Sequence, residues 1–147
     1  MSILAFILTL AHLIGLALGL GSATVKIVLL LKCHLNHGYF PVFLKVSKPI
    51  TKLLVTGIIL LILSGAGWLI YGYPISTLMV VKIILVGLVF ISGSLIDNFI
   101  EPRLAKAVLS AVAEPSSSFA KIQQQHLALE ILATLAMYAI TVMGVLL

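Results

Sequence analysis

The sequence predicts an all-α integral membrane protein, an up-down-up-down bundle of four helices with both termini outside, and three observations carry that expectation. Of the 147 residues, 62% are hydrophobic and only 9% are charged, and the mean hydropathy is +1.29. A soluble domain of this length is far more polar. The apolar residues fall into four runs, each close to or above the about 20 residues that a helix needs to cross a hydrocarbon core of roughly 30 Å. Eight of the nine basic residues lie on the side that carries the two long connections. The chain therefore reads as one transmembrane domain over 1–147, with no separate soluble domain.

The first helix is expected over about 3–31, closing on Lys26 and Lys32. Met1-Ser2-Ile3-Leu4 offers no basic leader region and no small-residue cleavage site, so this run reads as a retained span. A loop over about 32–51 follows, because His34, Asn36, His37, Gly38, Pro41 and Pro49 favour turns. A short amphipathic piece over about 42–47 is expected on the membrane surface within it. The second helix is expected over about 52–70, and Trp68, Tyr71 and Tyr73 at its far end resemble an interfacial aromatic belt. Tyr71-Gly72-Tyr73-Pro74 turns the chain into the third helix, over about 75–96. Asp97, Asn98, Glu101, Pro102 and Arg103 mark its exit, since acids near a helix C-terminus oppose the dipole. The second long connection, about 97–124, should hold a short helix over about 104–113 and a turn at Glu114-Pro115-Ser116-Ser117-Ser118. The fourth helix completes the bundle over about 125–145.

Lys26, Lys32, Lys45, Lys48, Lys52, Arg103, Lys106 and Lys121 share one side, whereas Lys82 lies inside the third helix. By the positive-inside rule the two long loops are cytoplasmic and the Tyr71 hairpin faces outward, in a multi-pass protein of the cell membrane. The net charge of +5 does not point to nucleic acid, because the basic residues flank apolar runs without forming a stripe or alternating with aromatics. The lone cysteine, Cys33, permits no internal disulfide and reads as an inert thiol. No phosphate loop, nucleophile elbow or HExxH pattern occurs. No internal repeat supports an inverted-repeat transporter.

Function must then sit where ionisable groups enter the spans, each at a cost of about 2.5 kcal/mol or more. His12, Lys26, Lys82 and Glu130 do so, with His126 at a helix edge. His12 is expected roughly 15 Å and Lys82 roughly 10 Å below the same surface, from the helical rise. On the His12 face, Gly15, Gly19, Ser22 and Lys26 follow at intervals of three and four, a stripe that admits a neighbouring helix or a flat cofactor. One reading makes Gly15 and Gly19 a helix contact, has His12 bond a backbone carbonyl, and lets Lys82 snorkel to the interface. The other has His12 and Lys82 face each other and hold a haem iron, through a neutral ring nitrogen and an unprotonated amine.

The stretches His12-Leu13-Ile14-Gly15 and Val80-Val81-Lys82-Ile83-Ile84-Leu85-Val86 resemble two sites of the HemJ-type family of small four-helix membrane proteins. The resemblance implies a histidine ligand early in the first helix, a lysine early in the third, a b-type haem and a link to protoporphyrinogen oxidation. The segment Leu61-Ile62-Leu63-Ser64-Gly65-Ala66-Gly67-Trp68-Leu69 is similar to one in CopD-like membrane proteins. Where the HemJ type carries a tryptophan and then a Pro-Arg pair, this chain has Ala17-Leu18-Gly19-Leu20-Gly21-Ser22-Ala23, and Lys26 is the nearest cation for a propionate.

The expected function is therefore b-type haem binding between helices one and three, with His12, Lys82, Gly15, Gly19 and Lys26 as the binding set and a redox or electron-transfer role. One alternative is an accessory subunit whose small-residue faces pair with itself or with a larger membrane complex. Another is a CopD-like copper or proton-linked transporter, against which Met79, Met137 and Met143 are scattered rather than clustered. His126 and Glu130, one turn apart, suit a proton relay or two metal ligands. Otherwise Glu130 pairs with Lys26, and His126 is wet at the interface. His34 and His37, three apart in the first loop, read as a solvated pair.

Overall fold

The computed structural model describes residues 2–72, 74–110 and 117–146, and all regular structure among them is helical. Helix α1 spans Ile3–Leu35, α2 Phe40–Ile70, α3 Thr77–Leu95, α4 Glu101–Ser110 and α5 Ser117–Leu146. Four stretches are long and apolar enough to cross a membrane: Ile3–Leu35, Phe40–Ile70, Thr77–Ala107 and Phe119–Gly144. Their outward faces carry Leu13, Ile14, Leu63, Ile83, Ile84, Leu132 and Leu135, all exposed. So much exposed apolar surface needs lipid as its solvent.

Ser2 starts α1 as a cap, its Oγ accepting from the Ala5 backbone N–H at 3.2 Å. Thr9 and Thr24 donate their hydroxyls to carbonyls four residues back, which satisfies them inside an apolar helix. The helix stops at Asn36, whose extended backbone ends the ladder and whose Oδ1 accepts from Gly38 N–H. A single 3-10 turn, His37–Tyr39, leads into α2.

Residues 40–51, expected in a loop, are instead the first three turns of α2. Pro41 stands in the opening turn, where no intrahelical N–H is needed, and Pro49 removes one bond on an exposed face. Phe40, Phe43 and Ser47 follow at intervals of three and four and are buried. Cys33, expected past the end of a helix, is a buried free thiol inside α1.

The Asp97 to Arg103 segment does not end the helix either. A π turn, Ile96–Ile100, carries the chain from α3 straight into α4. Pro102 has no N–H to give and its ring crowds the preceding turn, so a wider turn just before it relieves both problems. The short helix thus begins at Glu101, and the fourth helix is already formed at Ser117, with its membrane-crossing stretch from Phe119, rather than starting near 125. Of the expected turn at Glu114-Pro115-Ser116-Ser117-Ser118, the first three residues lie outside the described residues, whereas Ser117 and Ser118 are helical, in α5.

Helix α1 packs along α2 and against α5, and α3 packs on α5. Gly15 and Gly19 of α1 meet Gly57 of α2 backbone to backbone, so they form a helix contact and not a cofactor wall. One apolar cluster joins Ile58, Leu61, Val89, Met137 and Ile140. Another joins Leu30, Cys33, Phe40, Phe43, Leu104 and Phe119, with the Phe40 and Phe119 rings edge to face at 5.4 Å.

Candidate functional site

Two sites lie at different levels of the bundle. The first is a cavity of about 510 Å³ bordered by α1, α2, α3 and α5, with His12, Trp68, Met79, Lys82, Ile140 and Gly144 in its wall. It persists because small residues line it: nothing stands within 4 Å of where a Cβ on Gly65 would be. A Cβ on Gly144 would come within 3.0 Å of Lys82 Nζ, so the glycine leaves room for that amine. Among the described residues no carboxylate is within ion-pairing distance of Lys82.

His12 Nδ1 lies 2.9 Å from Ser64 Oγ, and Ser64 Oγ donates to the Leu61 carbonyl at 3.1 Å. A hydroxyl has one proton; with that proton on Leu61, Ser64 can only accept from the histidine. In the tautomer that completes this chain of bonds, Nδ1 of His12 carries the hydrogen and Nε2 keeps its lone pair, the arrangement that readies an imidazole for a metal. The expected backbone carbonyl partner of His12 is thus replaced by a serine hydroxyl. Nothing in the sequence spacing singles out Ser64, because the contact joins α1 to α2 across 52 positions.

The second site surrounds Lys26, which is buried and lies apart from the His12 cavity. Its Nζ is 2.8 Å from Glu101 Oε1, 2.9 Å from Glu130 Oε1, 3.2 Å from Asp97 Oδ1 and 3.2 Å from Thr51 Oγ1. Ser47 donates its hydroxyl to Glu101 Oε1 at 2.7 Å. The expected pairing of Lys26 with Glu130 is present, and two further acids that sequence reasoning assigned to a helix end join it. The π turn and α4 bring Asp97 and Glu101 inward, so water is not their only partner. Lys26 is fully engaged here and does not serve the His12 cavity.

His126 is 0% exposed, which corrects its expected place at a wet interface. Its ring stands edge to face with Phe43 at 5.8 Å. Nε2 lies 3.7 Å from Glu130 Oε1 and 3.9 Å from Glu101 Oε1, too far for hydrogen bonds. His34, on α1, is exposed and takes no part in this site.

Comparison with protein-family models, with curated proteins and with solved structures finds no match to this chain. The chemistry of the two sites therefore rests on their own residues.

Proposed function

We propose that the chain is a haem-binding membrane protein with a redox or electron-transfer role, its b-type haem held in the cavity that His12 and Lys82 share. The observation that carries this reading is the pairing of one cavity with two nitrogen donors, one of them hydrogen-bonded to Ser64 through Nδ1 so that Nε2 is left without that partner. The volume, about 510 Å³, is in the range of cofactor sites, and the lining is chiefly apolar. His12 would hold the iron through Nε2, and Lys82 would offer the second nitrogen. Leu61, Ile83, Val86 and Ile140 give the wall around the donors its apolar character. Such a group supplies one-electron chemistry that amino-acid side chains lack. The resemblance to HemJ-type proteins at His12 and Lys82 points the same way.

The test is the absorption spectrum of the detergent-purified chain from haem-replete cells, oxidised and then reduced, with a pyridine haemochrome assay. A Soret band and a b-type haemochrome are expected in the native protein and in His34→Ala. The band should vanish in His12→Ala and shift or weaken in Lys82→Met. Ser64→Ala should retain haem but alter the spectrum, because the ligand loses its orienting partner. A colourless native protein, or a spectrum indifferent to His12→Ala, sinks the reading and favours an accessory subunit of a larger complex.

We assign the ends of the up-down-up-down bundle by the distribution of Lys and Arg: the His34 end cytoplasmic, the Tyr71 end and both termini outside. In a Cys33→Ala background, Ile75→Cys should react with a membrane-impermeant maleimide on intact cells. Lys48→Cys should react only after permeabilisation. The reverse pattern overturns the assignment.

A further inference from the structure

We infer that the buried cluster around Lys26 is a binding site for one divalent transition-metal ion, ligated by Glu101, His126 and Glu130. The site stands at the other level of the bundle from the His12 cavity and does not depend on haem. Its ligand atoms, one from each of the three residues, all lie within 4.8 Å of one another. Zinc binds such nitrogen and oxygen atoms at about 2.1 Å, which separates neighbouring ligands of a tetrahedron by roughly 3.4 Å. The distances from His126 Nε2 to the two carboxylates, 3.7 and 3.9 Å, exceed that by half an ångström or less, and the ion would take the place that Lys26 Nζ holds between the two carboxylates.

Independent of the acids, His126 points to a ligand. It is wholly buried and neither ring nitrogen has a hydrogen-bond partner. The large majority of buried side-chain polar groups in proteins have a hydrogen-bond partner. A cation placed between Nε2 of His126 and the two carboxylate oxygens, which stand just beyond hydrogen-bonding range, would satisfy that nitrogen.

Charge leads to the same conclusion. Three carboxylates surround a single ammonium, so with all three ionised and His126 neutral two negative charges remain uncompensated in a bundle with apolar surroundings. A divalent ion balances Glu101 and Glu130. Lys26, on its flexible stem, withdraws from these two and keeps Asp97 and Thr51, both already 3.2 Å from Nζ. Each cation then has its own anions.

The full chain, purified in detergent and stripped with chelator, is titrated with zinc by calorimetry and with cobalt by absorption. One saturable zinc site per chain is expected. His126→Ala and Glu130→Gln should each weaken it by at least about tenfold, while His34→Ala leaves it unchanged. Helicity by circular dichroism checks that the variants fold. If His126→Ala does not fold, the cobalt spectrum of the native protein decides: d–d bands without a thiolate charge-transfer band support ligation by imidazole and carboxylate. A thiolate band would put the metal at Cys33 and overturn the inference. So would the absence of saturable zinc binding, or zinc binding that both folded variants retain.

Discussion

Lys26→Met is expected to lower the stability of the detergent-solubilised protein by about 3–5 kcal/mol, the cost of breaking a buried ion cluster from one side. The substitution keeps the length and apolar stem of the side chain, so the loss reads the charge and not the packing. Without the ammonium, Asp97, Glu101 and Glu130 face one another, and Glu101 and Glu130 lose contacts of 2.8 and 2.9 Å. These acids come from α3's π turn, α4 and α5, and Lys26 from α1, so a single atom ties elements remote in sequence. Thermal unfolding followed by size-exclusion recovery measures the effect. Adding Glu130→Gln to Lys26→Met should restore part of the loss, because one repelling charge disappears. Zinc should restore part of it too, if the metal site exists as inferred. A Lys26→Met protein as stable as the native chain would mean that the cluster does not hold the helices together.

The four spans are legible because their apolar runs are long and lipid demands helices, with every backbone group satisfied internally. The start of α2 was hidden by Pro41 and Pro49, which sequence rules treat as breakers; their positions in the helix make them tolerable. The buried spacing of Phe40, Phe43 and Ser47 was the countervailing signal. His12 and Lys82 stand out because charged or polar side chains within apolar runs are few, and the structure lines one cavity with both. Ser64 and Gly57 carry no such mark: a serine or a glycine in an apolar helix is ordinary, and their importance appears only when a second helix arrives. The inner cluster was half visible. Lys26 with Glu130 followed from matched depth, but Asp97 and Glu101 look like helix-stop residues until the π turn continues the chain and the lysine draws them in.

Gly57 should be the least replaceable glycine of the bundle. A Cβ there would collide with the Gly19 backbone nitrogen and stand 2.8 Å from both the Gly15 carbonyl oxygen and Gly19 Cα. All three are main-chain atoms of α1, which cannot move aside as a flexible side chain can. From the opposite direction, a Cβ on Gly15 would lie 2.9 Å from the Gly57 carbonyl oxygen. The two helices thus approach as closely as their backbones allow, and in lipid this contact is a principal source of helix association. Gly57→Ala is expected to cost about 1–3 kcal/mol by overpacking, and Gly57→Val more, with α1 and α2 forced apart. Gly21 is the control: nothing lies within 4 Å of its added Cβ, so Gly21→Ala should be neutral or stabilising by about 0.5–1 kcal/mol through lower chain entropy. Both substitutions add one methyl group to an apolar helix. A large loss confined to Gly57→Ala assigns the effect to the α1 and α2 contact, whereas equal responses at the two positions would show that the helices do not depend on it.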